Sequence, residues 1–304
     1  MLRAMILGAG AGGGFPQWNS AGPGCRRARA GDPAAPRRSQ ASLAVSADGE
    51  RWLVVNAAPD LRQQIEATPA LHPRVAPLRN SPISAVLLTG GEIDAIAGLL
   101  HLRERQPFRL YAAAPTRAVL DANPIFGCLN PDFVGRADLP LDAAFAPQDA
   151  GGAALGLSIT AYVVPGKVPL YAETTGQPDV SEDGEALGLA ISAGGAVLHY
   201  IPGCAMMTPA LRNRLRGANC VIFDGTLFSD DEMISAGAGP KTGRRMGHMP
   251  ITETLHEFAS LGVRRRILTH LNNTNPALLA DSPERATLEA AGWEVAEDGM
   301  EITP

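Results

Sequence analysis

The sequence predicts an α/β fold in which strands and helices share one 304-residue chain. Three observations support this. Short apolar stretches recur along the chain, each bounded by Gly, Pro or Asp,. Stretches that read as helices lie between the later ones. No low-complexity linker or fixed-period repeat divides the sequence, so a single domain over residues 1–304 is expected,. The early strands follow one another as hairpins and the later ones alternate with helices. Two sheets sandwiched by helices would give that pattern.

The first strand is expected at Arg3–Leu7, ending in the glycine run Gly8–Gly14. The apolar core of this N-terminal stretch is too brief, and its glycines too many, for a signal peptide. Residues 21–38, rich in Gly, Pro, Arg and Ala, read as an irregular flap,. Strands follow at Ser42–Ser46 and Trp52–Asn56, then a helix at Asp60–Ala67 with Asp60 as its N-cap. Next come a strand at Ala85–Leu88, a helix at Ala95–Arg105, a strand at Phe108–Ala112 and a helix at Pro115–Ala122. Leu157–Val164, Leu187–Ser192 and Ala196–Ile201 read as strands. A helix at Pro209–Arg216 follows, with Thr208 as its N-cap. The last elements are strands at Cys220–Asp224 and Arg266–Thr269 and helices at Ile251–Leu261 and Pro283–Ala291.

Hydrophobic residues make up 45% of the chain and charged residues 19%, as in a packed domain,. The net charge of -5 argues against a nucleic-acid surface, which is normally basic,. The short basic runs Arg26–Arg29, Arg37–Arg38 and Arg264–Arg266 read as solvated faces. No apolar stretch is long enough to span a membrane, and a cytoplasmic location is expected. The cysteines Cys25, Cys128, Cys204 and Cys220 form no CxxC pair,. Cys204 and Cys220 lie in apolar surroundings and read as small buried hydrophobes.

Asp94, Asp224 and His270 each follow an apolar strand, where polar side chains can converge on one rim while the strands are buried. Aspartate and histidine together suit a divalent ion, Fe(II) as well as Zn(II). His248 follows Gly247, in a turn that can aim a histidine into a site. Asn272 and Asn273 follow His270 and offer donors and acceptors to a polar substrate or a ligand histidine. Arg244 and Arg245 could grip a substrate carboxylate through paired guanidinium bonds. His101 reads as a helix-surface residue, and His72, His199 and His256 have no supporting context. Gly8, Gly10 and Gly13 formally satisfy G-x-G-x-x-G, but no helix or ribose-binding acid follows at the required distance. Those glycines read instead as places where the backbone passes close to the site.

Longer motifs carry a resemblance. Residues 87–102 read LLTGGEIDAIAGLLHL, where the metallo-β-lactamase superfamily reads T-H-x-H-x-D-H-x-x-G. Gly90, Glu92 and Ala95 stand at the histidine positions, and Asp94 is retained. In order along the chain come GGGFPQWN (12–19), NAAPDLRQ (56–63), PGKVPLYAE (165–173), YIPGCA (200–205), FDG (223–225), KTGRRMGHMPI (241–251) and THLNNTNP (269–276). This ordered set resembles the PqqB family of pyrroloquinoline quinone (PQQ) biosynthesis proteins. The resemblance implies a four-layer αββα sandwich of two mixed sheets flanked by helices. It implies a metal site of Asp94, Asp224, His248 and His270, with Glu92 and His248 as catalytic groups. It further implies an iron-dependent oxygenase that hydroxylates a tyrosine-derived peptide precursor with O2. A non-catalytic carrier of PQQ or its precursor is the alternative. Fe(II) is the favoured ion, because redox-inert zinc cannot activate O2, and Zn(II) also fits. Ala95 departs from the family's histidine. Of the family's C-x-C-x-x-C cluster only Cys25 remains, with Ser20 and Gly22 at the other positions, so the structural zinc is expected to be missing. A homodimer is left open.

Overall fold

The computed structural model describes residues 1–174 and 180–304. The chain opens with β1 (Arg3–Gly8), α1 (Pro23–Arg29), β2 (Ser42–Ser46), β3 (Trp52–Val55), α2 (Leu61–Ala67) and β4 (Ile83–Leu87). It continues through α3 (Ile93–Ile96), β5 (Phe108–Ala112), α4 (Ala114–Ala122), β6 (Val134–Asp138), β7 (Ala144–Phe145) and β8 (Ser158–Val163). Then follow β9 (Leu187–Ala193), β10 (Ala196–Ile201), α5 (Pro209–Leu215), β11 (Cys220–Asp224), α6 (Glu232–Ser235) and α7 (Ile251–Phe258). The last elements are β12 (Arg265–Thr269), α8 (Pro283–Ala290), β13 (Trp293–Val295) and β14 (Glu301–Ile302).

Among the described residues these strands form two seven-stranded sheets, ordered β14-β1-β2-β3-β4-β5-β6 and β13-β12-β11-β10-β9-β8-β7. Each sheet repeats one plan. An antiparallel meander (β1–β2–β3, then β7–β8–β9–β10) gives way to a parallel run (β3–β4–β5–β6, then β10–β11–β12–β13). Parallel neighbours end on the same side, so β3 and β4 of one sheet and β11 and β12 of the other each deliver their carboxyl ends together.

The side-chain period of a strand sorts residues between two cores. Along β1, Ala4 and Ile6 enter the core between the sheets, while Met5 and Leu7 face the helices outside. The inner core joins Leu43, Val55 and Leu87 of the first sheet to Ile191, Tyr200, Ile222 and Ile267 of the second. On the outer face of the first sheet Trp52 and Val54 pack with Leu61 of α2, Ile96 of α3 and Leu120 of α4. On the second, Val221 and Phe223 pack with Leu211 of α5, Phe258 of α7 and Leu288 of α8. There Phe258 meets Phe223 and Trp293 edge-on, each at 5.0 Å between ring centroids,. The order is therefore helices, sheet, sheet, helices. Because both strand faces are buried, strands such as LAV in β2 and VIF in β11 are continuously apolar and show no polar alternation,.

Several expectations are corrected. Residues 21–38 are not wholly irregular: Pro23 opens α1, which buries Cys25 and Ala28,. The helix expected at 95–105 is a single turn of α3 followed by 3-10 structure over Ala97–Leu102. Gly98 explains the break. Its amide donates to the Ala57 carbonyl, and a Cβ there would lie 2.0 Å from the Ala58 oxygen. Asp60 does not cap α2 with its side chain; Oδ2 accepts from the Gln40 amide and side chain instead. Thr208 does cap α5, accepting the Leu211 amide at 3.2 Å. Arg38 is buried rather than solvated, donating to the Ala296 carbonyl and to Glu297. Strands β6, β7, β13 and β14 were not anticipated; they are short, and much of β6 and β7 is partly exposed.

Candidate metal centre

The carboxyl ends of β3, β4, β10, β11 and β12 surround a cavity of about 960 Å³. Asp224 closes β11 and is fully buried. Its carboxylate accepts from the Cys204 amide (2.9 Å), the Thr226 amide (3.0 Å) and the Thr226 hydroxyl (2.6 Å). His248 Nδ1 lies 2.7 Å from its Oδ2. His270 directly follows β12 with φ +61°, a left-handed conformation that costs on the order of 1–3 kcal/mol outside glycine,. His248 is set by Gly247 at φ +84°. The two imidazole rings stack with centroids 5.2 Å apart.

Thr226 ties these groups together. Its Oγ1 donates to Asp224 and lies 3.0 Å from His248 Nδ1 and 2.8 Å from His270 Nδ1. Its single hydrogen goes to Asp224, so the hydroxyl oxygen faces both Nδ1 atoms with its lone pairs,. Asp94, in the first turn of α3, places Oδ2 2.9 Å from His270 Nε2. Asp94, Asp224, His248 and His270 thus converge on one rim.

The electrostatics follow from burial against pairing. Burial disfavours the charged form of Asp94, but the hydrogen bond and charge of His270 outweigh it and hold the carboxyl below its ordinary range. Asp224 is likewise lowered, burial being overcome by His248. His270 is raised: burial opposes the imidazolium, and Asp94 and Asp224 more than restore it. Glu92, at the N-cap of α3, is raised by burial and then by Asp94.

This donor set fits a divalent ion. Among the described residues, donor atoms of Asp224, His248 and His270 lie within 4.8 Å of one another. One ion with bonds of about 2 Å nearly spans that spread. Two imidazoles with carboxylates and a large open cavity match a site that leaves coordination positions for substrate. Thr226 supplies the outer hydrogen bonds that would orient ligand histidines,.

The other expected residues are spread more widely. Glu92, Ala95 and Asn272 line the cavity. Asn273 stands behind it, donating to Gln17, with Cys25 Sγ 3.6 Å from its Oδ1. Arg244 binds Glu253 and, like exposed Arg245, does not line the cavity. His101 and His256 are exposed, and His72 is bonded to the Glu66 carbonyl at the surface. His199 is buried against the Tyr162 hydroxyl at 3.1 Å, and burial lowers it to about 4. Cys204 and Cys220 are buried, as expected. Gly10 exchanges backbone bonds with residues 39 and 41, and a Cβ on Gly12 would lie 3.5 Å from Asp94 Oδ2. The N-terminal glycines therefore do bring the backbone against the site.

Sequence reasoning missed Thr226 at the site and Lys167 and Lys241 in the cavity lining. Thr226 lies two residues beyond Asp224 and could have been found as a hydroxyl at a strand end. It also missed why Gly90 is glycine. The chain of residues 185–186 bridges to Gly90, and a Cβ there would meet the Glu185 carbonyl oxygen at 2.8 Å.

Two seven-stranded sheets between helices, with an Asp/His site at the strand ends, define a protein of the metallo-β-lactamase fold. Residues 51–271 match the family model described as the β-lactamase superfamily domain. The chain is 59% identical to the coenzyme PQQ synthesis protein B of Gluconacetobacter diazotrophicus over 307 residues, covering 100% of both chains. It is 53% identical to that of Gluconobacter oxydans, covering 99% of this chain and 98% of the relative. A crystal structure of Zn(2+)-bound PqqB from Methylobacterium extorquens superposes with a TM-score of 0.95 at 48% identity, covering 99% of this chain and 100% of that one. The chain belongs to the coenzyme PQQ synthesis protein B family.

Proposed function

We propose that this member of the PQQ synthesis protein B family is a metal-dependent oxygenase that hydroxylates a tyrosine-derived peptide precursor of PQQ. The observation that carries the reading is the convergence of Asp94, Asp224, His248 and His270 at the edge of a cavity of about 960 Å³, which Asp94 and both histidines line,. Asp94, Asp224, His248 and His270 would hold the ion. Bound Fe(II) would supply the oxygen activation that hydroxylation of a tyrosine ring requires and that zinc cannot supply. Thr226 fixes both imidazoles. Glu92, whose carboxyl burial and then Asp94 push above its ordinary range, lines the cavity and would exchange a proton with a substrate group there,. Asn272 lines the cavity with its amide bonded to Thr274, and a substrate would have to compete for it.

Protein prepared anaerobically and loaded with Fe(II) should add one labelled oxygen atom to a tyrosine-containing peptide under ¹⁸O2 with a reductant. Fe(II)-loaded protein that gives no labelled product would sink the oxygenase reading. The second reading, a carrier of PQQ or its precursor, draws support from the zinc-bound state of the Methylobacterium relative. It requires tight PQQ binding with no turnover under those conditions.

A further inference from the structure

Two lysines reach the cavity wall from separate parts of the chain. Lys167 follows β8 and Lys241 precedes the turn that carries His248. Both contact one carboxylate, that of Glu173. Lys167 Nζ binds Oε1 directly, and Lys241 Nζ stands 3.7 Å from Oε2. The Lys167 stem lies on Gly247, where a Cβ would come 3.1 Å from its Cγ, so the ammonium arm starts one residue from His248. Its side chain is only 12% exposed. Among the described residues, these are the lining side chains with a permanent positive charge. Glu92 and Asp94 give the cavity acidic groups as well, so charge is divided within one pocket.

Lys167, so little exposed, needs a counter-charge. In the free protein Glu173 supplies it, and Lys167 holds that carboxyl below its ordinary range. Glu173 sits just past the short 3-10 turn Leu170–Ala172, none of whose residues is buried and which Tyr171 ties to the Gly91 carbonyl. The Glu173 side chain is itself partly exposed, so another carboxylate can reach the lysines in its place. We propose that Lys167 and Lys241 form the carboxylate-binding subsite of this cavity, which Glu173 fills until a polycarboxylate ligand displaces it. This rests on the PQQ reading above for the class of ligand: an amino-acid-derived precursor and the quinone itself both carry several carboxylates. Charge-assisted contacts of this kind give both affinity and orientation.

The probe is PQQ, a tricarboxylate, titrated by calorimetry into full-length Zn(II)-loaded protein, with its trimethyl ester as the uncharged control. Lys167→Met and Lys241→Met should each weaken PQQ binding about tenfold or more and leave the ester unchanged. Glu173→Gln should tighten PQQ binding, because it removes the internal competitor. A purely structural role for the Lys167–Glu173 pair gives the opposite sign, with Glu173→Gln weakening binding alongside the lysine variants, and overturns the proposal. Should a variant fold poorly, wild-type affinity for PQQ must still fall steeply with added salt while that for the ester does not; equal salt responses overturn it. PQQ binding that ignores both lysines sinks the subsite and leaves the functional reading standing. No binding of PQQ or of a tyrosine peptide sinks both. Lysine-dependent PQQ binding without turnover supports the subsite and sinks the oxygenase.

Discussion

The two sheets repeat one plan but contribute unequally to the rim they share. The second sheet supplies Asp224, His270 and, through the loop after β11, Thr226 and His248. Every one of those polar groups is held by at least two others. The first sheet supplies the turn after β4, where a single side chain, Asp94, reaches across to His270. There Gly90 is pressed against the backbone of residue 185 and Ala95 is nearly buried among apolar neighbours. In the motif that this turn resembles, both positions are histidines. The contrast teaches that a ligand is kept when it is part of a hydrogen-bonded network. Where neighbouring backbone has closed over a ligand position, what remains is packing.

The largest effect should come from removing the centre of the intact half. Asp224→Ala strands the Cys204 and Thr226 amides and His248 in a buried site. Denaturation should show a loss of roughly 3–5 kcal/mol, and elemental analysis should find no retained ion. Preserved metal content would break the comparison. Next is Glu232 in α6, which supports this half through the Phe228 amide and the Thr274 hydroxyl. Burial pushes its carboxyl up to about 7 from 4.5. A raised carboxyl binds more protons folded than unfolded, so its contribution is intact below about pH 4.5 and is lost as pH climbs through about 7. Relative to Glu232→Gln, the wild type should lose on the order of 3 kcal/mol across that window. Parallel stability curves for the two proteins would refute this.

Thr226→Val removes the hydroxyl between the imidazoles while nearly keeping its shape. Equilibrium dialysis should show metal affinity lower by about 10–100-fold. An unchanged affinity would mean the rings need no such support. The smallest and most diagnostic pair restores histidines to the eroded half. Ala95→His, whose side chain would enter the cavity, should raise Fe(II) retention,. Gly90→His should not; it should instead cost about 1–3 kcal/mol by overpacking,. If Gly90→His gains metal without losing stability, the closure of that position is not structural.

Much of the architecture was legible because buried strands announce themselves as apolar runs between breakers, as in Cys220–Asp224 and Ser42–Ser46. The layering was not, since strands buried on both faces lose the alternation that would tell inside from outside; the ordered motifs supplied it. Strand ends and a glycine turn marked Asp94, Asp224, His248 and His270, which the fold brings to one rim. Thr226 was passed over although it stands two residues beyond Asp224, because attention fell on ionisable side chains and a strand-end hydroxyl is not one. The substrate cations were sought at Arg244 and Arg245. Local sequence says nothing of Glu253, which engages Arg244, or of Lys167, brought to the same wall from far along the chain. The helix over 95–105 failed at Gly98 for a similar reason, its close neighbours Ala57 and Ala58 being distant in sequence.

The chain crossing at Gly90 also has a consequence for redesign. Residues 185–186 occupy the space beside Gly90 and bond to it, and any side chain there would meet the Glu185 carbonyl oxygen. A second ion could therefore not be built into this rim by substitution at Gly90 alone: the segment at 185–186 would have to be moved first. The walls of the cavity carry no such constraint, so they are where changes of ligand preference can be made one residue at a time.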